Sequence, residues 1–417
     1  MSYLSDAPIE VLHLMLYNID RQCDLYECAL VNKSFYAAAN PLLWREPQQM
    51  VSDITRECSM PFRLLQSFRQ ARKHGIRSTT LGHHIRKLYI QRRTHLQDLR
   101  QLINNAPLLE ELVIHSTLKD KDLERIVLKC PQLKRLSLYY LMAGSDRFFE
   151  SLRHCTNLRE FNIMDSCRST YELTSLKHCR LEKLKIQPFL YSHALFLEAT
   201  FDDMPTLTHL DLDCIATPYF RHYRTLRSPT LFPALTDLRI AMLSPESPAD
   251  DTLVSFFKAH PLIRNLSIEG MKINPAIMDS LAIDLVHLKR LSLINNGHLP
   301  PLTIDLLLVE KLTVRACHTN ASFIVHLAHH FPNLHYIHVG KYDYSRWQPS
   351  INYIGNIVDL VGSLIEVISL MTYLDFASHD SVPGDLKVHL PRRMGGKLVQ
   401  EDLEHIRQSA VGLAWID

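Results

Sequence analysis

The chain has 417 residues, 46% of them apolar and 22% charged, and a formal net charge of +2. This composition supplies a large buried core and excludes disorder by composition, while the near-neutral charge leaves no electrostatic footprint for nucleic acid or acidic lipid. No run of about 18 apolar residues occurs, the N-terminus carries Asp6 and Glu10 rather than a basic and then apolar leader, and nine cysteines lie scattered without close pairs. A soluble, unsecreted chain of a reducing compartment, cytoplasmic and/or nuclear, is therefore expected, with most thiols serving as small apolar core residues.

The first element in chain order is "LSDAPIEVLHLML", residues 4 to 16. It places Pro8 in the first turn of a helix with Ile9, Leu12 and Leu16 on one stripe. "DLYECALVNKSFYAAA" comes next, with Asp24 at a capping position and Leu25, Cys28, Leu30, Val31 and Phe35 as its apolar residues, and "PLLWRE" closes the segment with Pro41 and Trp44. Three short helices in residues 1–46 make only a small core, so their apolar residues either dock on a later part of the chain or meet a partner chain.

This segment resembles an F-box. The family's Leu-Pro-x-Glu-Ile-Leu opening stands here as Ala7-Pro8-Ile9-Glu10-Val11-Leu12, and its later elements as Asp24-Leu25, Leu30-Val31-Asn32-Lys33-Ser34-Phe35 and Leu43-Trp44. Ala7 replaces the usual leucine, which removes one side chain from the expected contact. The resemblance implies docking to the Skp adaptor, and through it to a cullin–RING ubiquitin ligase, with Pro8, Ile9, Leu12, Leu30, Val31 and Leu43 facing the adaptor. Trp44 and Phe35 fit equally well as the internal core of such a domain.

Residues 47–84 form a connecting segment. "MPFRLLQSFRQARKHG" carries Phe62, Leu65 and Phe68 at helical spacing, then Gly75 as a stop. It reads as a helix with a solvated basic face that caps the open end of the region beginning at residue 85.

From residue 85 the chain repeats. The pattern apolar-x-x-apolar-x-apolar recurs as "IRKLYI" at 85, "LEELVI" at 109, "LKRLSL" at 133, "LREFNI" at 158, "LEKLKI" at 181, "LTHLDL" at 207, "LTDLRI" at 235, "IRNLSI" at 263, "LKRLSL" at 288, "VEKLTV" at 309, "LHYIHV" at 334 and "IEVISL" at 365. The first eleven starts are 21 to 28 residues apart. Within the motif Leu112 and Ile114 point to one side of a short strand, while Glu111, Val113 and His115 point to the other. Ahead of each strand lies a helical pattern such as "DKDLERIVLKCP", with Leu123, Ile126, Val127 and Cys130 on one face. Pro107, Pro131, Pro205, Pro261 and Pro332 stand at the helix ends, and Asn274-Pro275 marks a helix start. One strand and one helix cannot cover their own apolar faces, so neighbours stack.

The repeats resemble the leucine-rich repeat family in its form with full helices, over roughly residues 85–375 and about 12 repeats. The resemblance implies an α/β fold: a three-helix F-box followed by a curved solenoid, with parallel strands on the concave face and helices on the convex face. The family's Asn/Cys position after the last leucine is Asn296 and Cys317 in two repeats, with Ser166 and Thr117 as partial substitutes. Together the two resemblances imply a substrate receptor, in which the F-box holds the adaptor and the repeats hold the protein to be ubiquitinated. A protein-binding scaffold that does not lead to degradation is the alternative.

The outward side chains of the strands, Glu111, His115, Arg135, Tyr139, Glu160, Lys183, Lys185, His209, Asp211, Asp213, Asp237 and Arg239, are of mixed sign and suit either a solvated face with cross-strand pairs or a binding face. Two longer insertions add aromatic and basic residues typical of interface hot spots: Tyr219, Arg221, Tyr223 and Arg224 in residues 214–232, and Tyr342, Tyr344, Arg346 and Trp347 in residues 340–353. Signals for catalysis are weak. His326, His329 and His330 share a helical stretch without the glutamate a zinc protease needs, and there is no Gly-rich phosphate loop and no Gly-x-Ser-x-Gly. No enzyme activity, cofactor or metal is expected. The stretch 376–417 breaks the period and reads as a terminal cap containing a helix at "VQEDLEHIRQSA".

Overall fold

A computed structural model describes residues 7–47, 60–73, 81–90, 94–139, 148–165, 170–188, 198–200, 203–215, 232–242, 250–301, 303–318, 330–331, 333, 336–340 and 386–389. The chain divides into two compact units, the first of residues 1–195 and 199–204 and the second of 196–198 and 205–417.

The first unit begins with three helices, α1 (Ile9–Tyr17), α2 (Gln22–Val31) and α3 (Lys33–Leu43). The apolar run around Asn32 is split rather than continuous. Asn32 is extended (φ −164°, ψ 179°), and its side chain accepts a hydrogen bond from the Phe35 N–H at 2.9 Å, ending one helix and capping the next. Asp24 lies in the first turn of α2 rather than at its cap, and Pro41 lies inside α3. Leu12, Leu16, Leu25, Ala29, Ala38 and Ala39 form the core, with Phe35, Leu42 and Leu43 packed against it. Alanines at the centre let the helices approach closely, but they also keep that core small.

The connecting segment forms α4 (Met60–Lys73), which buries Leu64 and Leu65. Phe68 of α4 lies 6.4 Å from the Trp44 ring, and Arg69 donates to Gln101 Oε1 at 3.0 Å. The helix therefore stands between the N-terminal helices and the first repeat.

Five parallel strands come next in this unit: β1 (Lys87–Ile90), β2 (Glu111–Ile114), β3 (Arg135–Tyr139), β4 (Glu160–Asp165) and β5 (Lys183–Pro188), each paired with the next. The strand motif places Leu88, Leu112, Leu136, Phe161 and Leu184 in register, all buried. Helix α5 (Leu96–Asn105) precedes β2 and α6 (Asp120–Lys129) precedes β3, each burying the stripe its 3.6-residue period predicts. Asp122 of α6 is buried, accepting from Arg100 Nε of α5 at 2.7 Å and from the Lys119 N–H at 3.2 Å, so one carboxylate caps its own helix and ties it to the previous one. Before β4 and β5, where full helices are expected, the described residues form short 3-10 turns, Glu150–His154 and Thr174–His178.

Cys130, Cys155 and Cys179 occupy one position in three successive repeats, all buried. Burial pushes each thiol up to about 12. The Sγ of Cys130 reaches the Ala106 carbonyl at 3.7 Å and that of Cys179 reaches the Leu152 carbonyl at 3.4 Å. These cysteines are inert core residues with a weak donor, as their scatter along the chain suggests.

The second unit repeats the grammar. Strands β6 (His209–Ile215), β7 (Asp237–Met242), β8 (Asn265–Glu269), β9 (Arg290–His298), β10 (Lys311–His318) and β11 (Tyr336–Gly340) pair in parallel in that order. Helix α7 (Asp250–Ala259) precedes β8 and α8 (Pro275–Ile283) precedes β9. Asn274 caps α8 through the Ile277 N–H at 2.9 Å, with Pro275 as the first helical residue, as expected. A further strand, β12 (Leu386–His389), runs antiparallel to β11 in a region whose sequence reads as a terminal cap. The motif at 365, the histidines at 326 and 329 and the helix expected near 400 lie outside the described residues.

Buried Asn296 donates to the Met271 carbonyl of the previous repeat at 2.9 Å, the backbone bond its sequence position implies. A register shift between Ile294 and Gly297 turns it inward. In the second repeat the strand alternation continues without such a shift, so Ser116 rather than Thr117 is buried. The Cys317 side chain and all of Ser166 lie outside what the structure describes.

His260 fills the cysteine position in the repeat of β8. It is buried, its ring 4.2 Å from Phe256 and 5.9 Å from Phe232, with Nδ1 2.8 Å from the Phe256 carbonyl. Burial pushes its pKa below the usual 6.5, against a smaller opposing effect of that hydrogen bond. The unfolded chain therefore binds the proton more readily than the folded one, so stability is complete above about 6.5 and falls as pH drops below it. Urea unfolding between about pH 7.5 and 5.5 is expected to lose up to about 1.4 kcal/mol per pH unit from this residue, and His260→Gln to remove that part of the slope. An unchanged slope in the variant refutes the assignment.

Candidate functional site

Three surfaces are candidates, each built by a different part of the chain. On the N-terminal helices the small alanine-rich core leaves many large apolar residues outside. Helix α1 buries Leu12 and Leu16 but exposes Ile9 (48%), Val11, Leu14 (68%), Met15 and Tyr17; α2 exposes Tyr26, Leu30 (62%) and Val31 (64%). Of the residues implied to face an adaptor, Pro8, Ile9, Leu30 and Val31 are at the surface. Leu12 is not: it is fully buried at the centre of the three-helix core, because the α1 stripe that carries it also carries Leu16. Leu43 is half-buried against the same core. Sequence reasoning missed Leu14, Met15 and Tyr17, which lie off the predicted stripe; their signal was an α1 too apolar all round for a helix that buries one face.

The second surface is the outward side of the first unit's strands. Its leading row alternates in charge: Lys87 meets Glu46 at 2.9 Å and Glu111 at 3.9 Å, Glu111 pairs with Arg135, and Glu160 meets Lys183 at 3.1 Å. A neighbouring row does the same, with Glu110 between Arg86 (3.6 Å) and Lys134 (2.9 Å), and Arg159 beside Glu182 (3.6 Å). The Lys134 hydrogen bond holds the Glu110 carboxyl below its usual range, and the hydrogen bond to Glu111 holds the Arg135 guanidinium above its own. Beside these rows three rings line up across successive strands. Tyr89 and His115 have centroids 4.8 Å apart, and His115 and Tyr139 stack at 3.9 Å with 12° between planes. Burial pushes the His115 pKa down.

The third surface belongs to the second unit. A groove of about 410 Å³ runs over β6 to β10, floored by Leu210, Leu238, Leu266 and Leu291. Arg239 stands in it with Nη1 2.8 Å from Asp211 and 3.6 Å from Asp213, and Nη2 2.8 Å from Glu269. Burial works against its charge, but the hydrogen bond to Asp211, the charges of Asp211 and Asp213 and the hydrogen bond to Glu269 outweigh that and raise its pKa further. Asp237 accepts from Thr236 Oγ1 at 2.7 Å and Asn265 Nδ2 at 2.5 Å, and His209 Nε2 lies 3.5 Å away. Arg290, Lys311, Ser267, Ser292 and Thr313 line the other end.

Tyr219, Arg221, Tyr223, Arg224, Tyr342, Tyr344, Arg346 and Trp347 lie outside the described residues. Among the described residues no group of three or more His, Cys, Asp or Glu is placed to hold a metal, and no helix is long and apolar enough to cross a membrane.

No family model matches the chain, and no curated protein matches it. Among solved structures it is similar to an internalin (inlF) from Listeria monocytogenes, with a TM-score of 0.29, 15% identity, and cover of 68% of this chain and 91% of that one. It is also similar to the LRIM1/APL1C complex, with a TM-score of 0.28, 13% identity, and cover of 69% of this chain and 59% of that one. The repeat architecture of this chain is shown by its own strand register: among the described residues, parallel strands with in-register leucines, and the Asn296 bond.

Arg239 is the most heavily paired cation described in the groove. Arg239→Met leaves Asp211, Asp213 and Glu269 facing one another across one strand and is expected to lower unfolding free energy by about 1–3 kcal/mol. Because the loss includes like-charge repulsion, urea unfolding in about 0.5 M salt is expected to recover part of it. A variant as stable as the parent at low salt refutes the pairing.

Proposed function

We propose that this chain is a non-catalytic substrate receptor: its N-terminal helices dock the Skp adaptor of a cullin–RING ubiquitin ligase, and its repeats bind the protein to be ubiquitinated. The observation that carries the reading is the surface of the N-terminal helices. They leave Ile9, Leu14, Met15, Leu30 and Val31 exposed while burying an alanine-rich core, and a helical segment with so much uncovered apolar area is built to be covered by another chain. The F-box resemblance names that chain. Burial of Leu12 narrows the docking residues to Pro8, Ile9, Leu30 and Val31, with Leu12 and Leu43 supporting them from inside.

On this reading the chain performs no chemistry and carries no cofactor. It acts in the cytoplasm and/or nucleus, without nucleic acid or membrane as partner, by holding a protein near the ubiquitin-transfer site and raising its effective concentration there. The coarser role, a leucine-rich-repeat protein-binding scaffold, is supported by the strand ladders alone and stands whether or not the bound protein is degraded.

The test is co-purification of the full chain with the Skp adaptor. The wild type is expected to form a stoichiometric complex that the surface variant Ile9→Asp/Leu30→Asp/Val31→Asp loses while keeping its helical circular dichroism. Leu12→Asp is expected to unfold the helices instead, because it puts a carboxylate at the centre of their core. A folded wild type that takes up no adaptor refutes the ligase reading and leaves the scaffold.

A further inference from the structure

The groove of the second unit is chemically unequal along its length. At the β6 and β7 end the acids have donors: Asp211 has Arg239, and Asp237 has Thr236 and Asn265. At the β8 to β10 end most donors are unspent. Arg290 is exposed, and among the described residues its side chain and those of Ser267, Ser292 and Thr313 have no hydrogen-bond or ion-pair partner. Their placement is regular. Asn265, Arg290 and Lys311 are direct cross-strand neighbours, and so are Ser267, Ser292 and Thr313 two residues further along each strand.

With strands about 4.8 Å apart, the two rows cover about 10 Å, the length of roughly three residues of extended chain. The small hydroxyl side chains keep this end of the groove open. Arg290 stands over it with an amide and a second cation, rather than acids, as its row neighbours. We propose that this end of the groove binds an acidic peptide segment of a partner protein, with carboxylate or phosphate oxygens held by Arg290, with Lys311 beside it, and hydrogen-bonded by Ser267, Ser292 and Thr313. The proposal rests on reading the repeats as a protein-binding face and adds the chemistry of the partner. Charge complementarity selects the occupant: the paired Asp211 and Asp237 repel acid from the β6 end, so the acidic residues of the segment sit over β9 and β10.

The experiment is a fluorescence-anisotropy titration of the full chain with three short labelled peptides, in which glycine alternates with glutamate, phosphoserine or lysine. The glutamate and phosphoserine peptides are expected to bind and the lysine peptide not to. Tighter binding of phosphoserine assigns the site to phosphate, and equal binding assigns it to carboxylate. Arg290→Glu, at an exposed position, is expected to weaken acidic-peptide binding about tenfold or more. Lys258→Glu, the same charge change at an exposed position of α7, is expected to leave it within about twofold. Absence of binding, equal binding of the lysine peptide, or equal weakening by both variants overturns the proposal. Arg290→Glu is expected to keep the adaptor complex. A chain that binds the acidic peptide but no adaptor loses the ligase reading and keeps the groove.

Discussion

Strands in both units are tied to their predecessors by a forked backbone bond. The Arg86 carbonyl accepts from the N–H groups of Glu110 (2.7 Å) and Glu111 (2.8 Å), that of Glu110 from Lys134 and Arg135, and that of Lys134 from Arg159 and Glu160. In the second unit Thr236 serves Arg264 and Asn265, and Arg264 serves Lys289 and Arg290. The fork satisfies two donors at the place where each strand begins, and it fixes register to the residue. Once register is fixed, the leucines of each motif fall in line, and each repeat covers the apolar side its predecessor cannot cover alone. Stability is therefore a nearest-neighbour property: a repeat without its neighbour has neither its fork nor its cover.

The same bond explains how the N-terminal helices are attached. Arg45, two residues beyond α3, offers its carbonyl to Arg86 (2.9 Å) and Lys87 (3.0 Å), the position a preceding repeat would occupy, and Glu46 supplies the first member of the alternating charge row through Lys87. The helices thus stand in for a repeat before the first one, and Trp44 against Phe68 of α4 fills the space beside them. The exposed apolar residues of these helices are thus held to the strands by backbone geometry rather than by a loose tether.

The period was legible because it is set by burial: in β2 the inward Leu112 and Ile114 and outward Glu111 and Val113 could be read directly, as could the buried stripe of α6 and the Asn274 cap. What was not legible depends on competition between local signals. "ALVNKSFY" has unbroken apolar periodicity, yet the Asn32 side chain offers the backbone a cap bond, and that local bond divides the run into two helices. Leu12 and Leu16 share a stripe, so periodicity could say that one side of α1 is buried but not that the buried side would be theirs. Before β4 the described turn is of 3-10 form and follows buried Phe148 and Phe149, their rings edge-on at 4.9 Å, a local packing choice that periodicity does not report. Strand β12 was missed because four alternating residues in a stretch without the repeat period carry almost no signal until β11 offers them an edge.

The sites show the same limit in sharper form. Residue type placed charge on the outward faces, but function depends on which charges are already paired, and pairing is set by register between strands 21 to 28 residues apart. Glu111, Arg135 and Lys183 look in the sequence like a mixed binding face; in register they neutralise one another or their neighbours, and surface pairs of this kind contribute little to stability and little to affinity. Arg290 looks like one more member of that pattern, since it precedes the same leucine as Arg135 does. Its neighbours in register are Asn265 and Lys311 rather than two glutamates, so the acids that pair Arg135 have no counterpart beside it.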